Sequence, residues 1–164
     1  MEPRLSRHDD VLILDLGEGE NRFNPTSISR LGATIDEVAA IAAAGDKVGL
    51  VTTGTGKFFS NGIDLDWMLG EAAQQDPKAV TTSLAAMLDV WARVMSLPIP
   101  TVAAVNGHAF AGGAMFALAH DHVLMRADRG FWCVNEVLLQ LPLAPGMQAI
   151  LEARLPAPGW GSAV

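Results

Sequence analysis

Cysteine occurs once in the 164 residues, at Cys133. A disulfide framework is therefore excluded, and a lone thiol fits a reducing, cytoplasmic setting. Charge is also sparse: Asp, Glu, Lys and Arg make up 18% of the chain, and eleven basic residues face eighteen acidic ones, for −7 at pH 7. With no basic run to track a phosphate backbone, nucleic acid is not an expected partner. An anionic small ligand is not excluded, because a few local donors outweigh a long-range field. The first ten residues are polar and lack the apolar core of a secretory signal. Residues 99–119 carry no Asp, Glu, Lys or Arg, but Pro100, Asn106-Gly107 and Gly112-Gly113 interrupt them and His108 sits inside. That stretch reads as a buried strand, a Gly-rich turn and a buried helix, not as a membrane span.

What is present is a hydrophobic half, 50% of the residues, with no repeat and no linker. Residues 1–164 read as one domain, able to bury about two-thirds of its unfolded surface. Residues 11–16 and 47–52 read as strands. Between them, Thr26 or Ser27 is expected to cap a helix whose apolar face is Ile28, Leu31, Ile35, Val38 and Ile41. Residues 53–62 read as a loop leading into a short helix with an acidic start. Asp76 caps, and Pro77 opens, a long helix with Val80, Leu84, Met87, Leu88, Trp91, Val94 and Met95 on one face. Residues 101–105 are a buried strand, 106–113 a loop, 114–119 a helix, and 122–126 and 131–134 further strands. Strands alternating with helices define an α/β class with a mostly parallel sheet.

Several chemistries fail on their own motifs. Gly107 and Gly112 have the spacing of a phosphate loop, but Gly113 and Ala114 stand where Lys and Ser or Thr are required. Gly56-Lys57 fails likewise, with Val51 in the first glycine's place and Phe58 after the lysine. A dinucleotide fingerprint and a nucleophile elbow are absent. His120-Asp121-His122 offers metal-ligand types without the further ligands of a closed site, so the three read as the end of a helix. Cys133 reads as a small core residue. Two glycine loops and one acid remain. Residues 58–65 and 106–113 each precede a helix, where free backbone N–H groups can converge on a ligand oxygen. The acid is Glu136, whose apolar neighbours are expected to raise its pKa into the range of a usable base.

Those segments, Lys57-Phe-Phe-Ser-Asn-Gly-Ile-Asp-Leu65, Pro100-Thr-Val-Ala-Ala-Val-Asn-Gly-His-Ala-Phe-Ala-Gly-Gly113, and His120-Asp121 followed by Asn135-Glu136-Val137, resemble the crotonase, or enoyl-CoA hydratase/isomerase, superfamily in content, order and spacing. The resemblance runs over roughly residues 8–155. It implies a spiral of ββα units, an acyl-CoA thioester as ligand (coenzyme A being part of the substrate, with no separate cofactor or metal), a role in fatty-acid or other lipid metabolism, and a homo-trimer or hexamer. It assigns the oxyanion-hole donors to the backbone N–H of Ile63 and Gly112. It lays the CoA path along Arg22, Ser60, Gly62, Asp64 and Leu65. As apolar side chains, Trp67, Met68, Met115 and Trp132 are expected to wall the acyl chain.

Two departures from the family pattern shape the expectation. Family hydratases carry two glutamates, and the first position is Met115 here, which moves no proton. A lone Glu136 suits an enoyl-CoA delta isomerase, which shifts a 3-enoyl double bond to the 2-position by returning one proton. A hydratase or other acyl-CoA enzyme of the family, and a catalytically silent acyl-CoA-binding subunit, are the alternatives. The second departure is at the C-terminus: residues 157–164 read as an atypical tail, and the usual C-terminal helical region of the family is missing from the pattern.

Overall fold

A computed structural model describes residues 1–136, 140 and 142–155, the side chains of residues 72, 73 and 77 excepted. The tail expected at 157–164 and most of the segment after Glu136 lie outside the described residues. The chain opens with a hairpin, β1 (Arg4–His8) and β2 (Val11–Asp15), paired antiparallel across a turn in which Asp9 has φ 53°. Helix α1 (Pro25–Ala43) follows. Its cap is Asn24, not Thr26 or Ser27: Asn24 accepts from the Ser27 N–H, and the Ser27 hydroxyl accepts from the Asn24 N–H. Pro25 occupies the first helical position, where its missing N–H costs nothing.

Then come β3 (Gly49–Thr53), β4 (Phe58–Ser60), the short helices α2 (Leu65–Met68) and α3 (Glu71–Gln75), and the long α4 (Pro77–Met95), capped by Asp76 as expected. They are followed by β5 (Thr101–Val105), β6 (His108–Phe110), α5 (Gly112–Leu118), β7 (His122–Met125), β8 (Trp132–Cys133) and α6 (Pro145–Arg154). Strands β4 and β6 lie in stretches expected to be loops, and β1 and α6 in stretches to which the sequence assigned no element.

Two sheets result. The larger runs β1-β2-β3-β5-β7 and the smaller β4-β6-β8, every pairing after the first being parallel. A single parallel bridge joins Phe23 to Ile63 alongside the smaller sheet. The chain therefore repeats one turn: a strand in the large sheet, a short extended piece in the small one, then helix. This is the spiral of ββα units that the resemblance implied.

Close approach between turns is read in glycines at the corners. A Cβ on Gly56 would lie 2.0 Å from the Glu18 carbonyl oxygen, and one on Gly107 would lie 2.0 Å from that of Lys57. Only glycine lets the backbones of successive turns touch in this way. Asn106 ties the same corners, accepting from Gly54 N–H at 3.0 Å and donating to the Gly56 carbonyl at 2.9 Å.

The core lies between the large sheet and the helices. Leu12, Leu14, Leu50, Ala103 and Val105 meet Ile28, Leu31, Ile35 and Val38 of α1 and Met87, Val90, Trp91 and Val94 of α4. Phe23 sits edge-on to Trp91 at 6.0 Å and to Phe116 at 5.9 Å. Each such side chain contributes about 1.5–3 kcal/mol on burial. His120, read from sequence as the end of a helix, is fully enclosed. Its Nδ1 donates to the Phe116 carbonyl at 3.0 Å, which fixes the proton there, so Nε2 accepts from the Thr52 hydroxyl at 2.8 Å. Burial pushes its pKa down to about 4. Asp121 is engaged by the N–H and hydroxyl of Thr101, and His122 lies exposed.

Candidate active site

Two loops meet at the start of α5. The turn after β4 is braced by Ser60, whose buried hydroxyl donates to the Asn21 carbonyl at 2.8 Å and accepts from Gly62 N–H at 3.2 Å. Gly62 has φ +76°, and a Cβ there would lie 2.8 Å from the Phe110 carbonyl oxygen and 3.1 Å from the Gly112 nitrogen. The next residue, Ile63, forms the bridge to Phe23. The second loop reaches α5 through Ala111, whose φ of 50° and ψ of −123° lie where a Cβ is disfavoured. Ala111 is held on both sides. Its N–H donates to the Cys133 carbonyl at 2.9 Å, and its carbonyl accepts from Met115 N–H at 3.1 Å.

Among the described residues the Ile63 and Gly112 amides have no acceptor. For Gly112 this follows from its place in the first turn of a helix. A trans peptide sends its C=O and N–H in opposite directions. With the Ala111 carbonyl turned along the helix toward Met115, the Gly112 N–H is directed out of the helix end.

Beside these loops lies a cavity of about 350 Å³, lined by Ile63, Leu65, Met68, Leu84, Phe110 and Ala111 and by residues that follow β8 and enter α6, Met147 among them. Its polar lining is Asn61, Asn135 and Glu136. Glu136 is the ionisable group among the lining residues. It is only 4% exposed, and both carboxyl oxygens are buried with no hydrogen-bond partner. Burial in this apolar wall raises its pKa above the ordinary 4.5. A buried carboxyl with a raised pKa in a mostly apolar wall can hold and release one proton.

Of the residues expected at the site from sequence, Glu136, Ile63, Leu65 and Met68 line this cavity; Gly62 packs against the lining residues Phe110 and Ala111, and Gly112 faces Phe23 and Trp91 of the core. Three expected walls are elsewhere. Met115 is fully buried in the core, because α5 is enclosed along its whole length. Trp132 donates its indole N–H to the Ala114 carbonyl at 3.1 Å, which holds the ring along α5. Trp67 lines a separate surface depression with Asn24, Ser27 and Arg30. Arg22 and Asp64 line another depression, of about 410 Å³. There Arg22 pairs with Glu20, with Asp66 at 2.8 Å and with Asp64 at 3.6 Å. Asp64 also caps α2, accepting from Trp67 N–H at 3.3 Å. Ser60 ties its loop to the Asn21 carbonyl. Sequence reading missed Asn61, Leu84, Phe110, Asn135 and Met147 as lining. Asn61 and Asn135 stood inside the quoted motifs, and Leu84 and Met147 carried no local signal.

A ββα spiral with a buried, unpartnered carboxyl in the wall of a cavity defines the class. The chain belongs to the enoyl-CoA hydratase/isomerase family, whose model matches residues 21–156. Among curated proteins it is similar to "Enoyl-CoA delta isomerase 1, peroxisomal" of Arabidopsis thaliana, with 39% identity over 94% of this chain and 62% of that protein. It is similarly close to "Enoyl-CoA delta isomerase 3" of the same plant, with 40% identity over 92% of this chain and 63% of the relative. The chain thus spans about three-fifths of the length of these relatives. A crystal structure of a probable enoyl-CoA hydratase from Mycobacterium tuberculosis H37Rv superposes with a TM-score of 0.81 at 26% identity, covering 100% of this chain and 66% of that one. Among the described residues no helix is long and apolar enough to cross a membrane.

Proposed function

We propose that this chain carries the reaction centre of an enoyl-CoA delta isomerase, which moves the double bond of a 3-enoyl thioester to the 2-position. Glu136 as carboxylate removes a proton from C2. The electron pair of that C–H bond delocalises through the C3–C4 double bond and onto the thioester oxygen, giving a dienolate. The backbone N–H groups of Ile63 and Gly112 donate to that oxygen, each worth about 3 kcal/mol by analogy with other oxyanion holes. Glu136 then returns the proton to C4, the double bond settles between C2 and C3, and the carboxylate is restored. No second acid takes part.

The observation that carries this reading is the buried, unpartnered carboxyl of Glu136 in a mostly apolar cavity. Support comes from Met115, enclosed in the core where family hydratases place their other glutamate, and from the names of the two plant relatives. Acyl-CoA as ligand, assembly into trimers or hexamers, and a cytoplasmic setting belong to the same proposal, although two of the Arabidopsis thaliana relatives are named peroxisomal.

The test is turnover of a 3-enoyl-CoA beside a 2-enoyl-CoA in water. Isomerisation of the first with little hydration of the second supports the reading. Glu136→Gln removes the conversion, by at least a hundredfold for loss of an acid–base group, and leaves CoA affinity largely intact. Hydration of the 2-enoyl thioester in preference to isomerisation would give the hydratase reading instead. Binding without turnover of either would give a silent subunit.

A further inference from the structure

The chain has five asparagines. Four are wired into the fold. Asn21 donates to the Gly17 and Phe59 carbonyls, and Asn24 caps α1 and donates to Asp64. Asn61 donates to Glu20, and Asn106 bridges two corners of the spiral. Asn135 is the exception. It lines the cavity, its Oδ1 is buried, and among the described residues its amide has no partner. An apolar residue of the same shape would serve the wall better, because a buried carbonyl oxygen without a donor is costly.

Asn135 directly precedes Glu136, and the chain turns there so that both line one cavity. Three of their acceptor oxygens, Oδ1 of Asn135 and both of Glu136, are buried without a donor among the described residues. A hydrocarbon chain brings none. A hydroxyl group fits an amide both ways, donating to Oδ1 and accepting from the Nδ2 hydrogens. An amide also leaves the shuttled proton alone, since it does not titrate near neutrality.

We propose that Asn135 is a specificity-determining residue that selects acyl groups bearing a hydroxyl within a few bonds of the migrating double bond. This deepens the acyl-CoA isomerase reading and rests on it. The experiment compares kcat/KM for 3-hexenoyl-CoA and its 5-hydroxy analogue in the wild-type protein, Asn135→Leu and Asn135→Ser. The wild type is expected to favour the hydroxylated thioester about tenfold or more. Asn135→Leu brings the ratio to about one or inverts it, and Asn135→Ser, which keeps a small polar group, retains part of the preference. The ratio is taken within one preparation, so loss of folded protein cancels.

A wild-type ratio near one, or the same ratio in Asn135→Leu, overturns the proposal and assigns the amide's partner to water. If the wild type turns over neither thioester, the isomerase reading fails by itself. Affinities for hexanoyl-CoA and 5-hydroxyhexanoyl-CoA then read the same selectivity, and equal affinities overturn it.

Discussion

Gly113→Ala sets two physical expectations against each other. In the first turns of α5, exchanging Gly for Ala gains up to about 1 kcal/mol of helix propensity. Gly113 has no left-handed backbone that would forbid the change. The surroundings forbid it instead. A Cβ at this position would lie 2.3 Å from the Ser60 carbonyl oxygen and 2.7 Å from the Ser60 Cβ. Ser60 cannot swing aside cheaply, because it is buried and its hydroxyl bonds both Asn21 and Gly62. The two loops must separate by roughly 1 Å, an overpacking strain of about 1–3 kcal/mol that outweighs the propensity gain.

The same separation moves the Gly112 amide relative to that of Ile63. Misplacement of this size costs about a hundredfold in rate when geometry carries the catalysis. Urea melts of Gly113→Ala, with steady-state isomerisation of a 3-enoyl-CoA by the same preparation, are the assay. Gly32→Ala in α1 is the control. There the nearest atom, at 2.8 Å, is the end of the Arg93 side chain, which can shift with its exposed partners Asp36 and Asp89, so the propensity gain and the displacement roughly cancel and the change is expected to be near neutral. A Gly113→Ala protein that melts at higher urea and turns over at the wild-type rate would refute the argument.

Two pH effects have definite signs. Isomerisation needs Glu136 as carboxylate, and burial raises its pKa; kcat/KM therefore falls on acidification with a midpoint above the ordinary 4.5, and a midpoint at or below that value in still-folded protein contradicts the cavity's effect. His120 has its pKa lowered from 6.5 to about 4. The unfolded chain takes up a proton in that window and the folded one does not, so stability is full above pH 6.5 and falls by about 3 kcal/mol as the pH drops toward 4. Denaturant melts of wild type and His120→Gln across pH 4–7.5 isolate this contribution. Parallel curves for the two proteins would show that His120 is not the source.

The helices and central strands were legible because their signals are long. Apolar positions at helical spacing marked α1 and α4, and a continuous buried run marked β5. Strands β4 and β6 were not legible, since three residues are too few to display alternation. Strand β1 read as polar because it sits at the sheet edge with only Leu5 half-buried. The cap of α1 was misplaced by two or three residues, although Asn24-Pro25 is the pairing that a cap and a first-turn proline predict. At the site, Glu136 stood out as an acid among apolar neighbours. Leu84 and Met147 did not, because their convergence depends on how successive turns of the spiral stack. Trp67, Met115 and Trp132 were assigned to the acyl wall on hydrophobicity alone, which does not tell a cavity wall from the core or a surface depression.

The two halves of the proposed chemistry are therefore encoded differently. The amide half is backbone. Its direction at Gly112 is set by Ala111, held at φ 50° by the Cys133 carbonyl and the Met115 N–H. A conformation of that kind costs about 1–3 kcal/mol and persists only where neighbours enforce it. Close contact of Gly62 and Gly113 with the facing loop adds the second constraint. The proton half is a single side chain, raised in pKa by the cavity that surrounds it. Substitution at Glu136 removes the proton path and leaves the amides in place. Substitution at Gly113 displaces the amides and leaves the acid. An acyl-CoA that still binds the first protein and binds the second more weakly is what this division of labour requires, because the thioester oxygen meets the main chain before any proton moves.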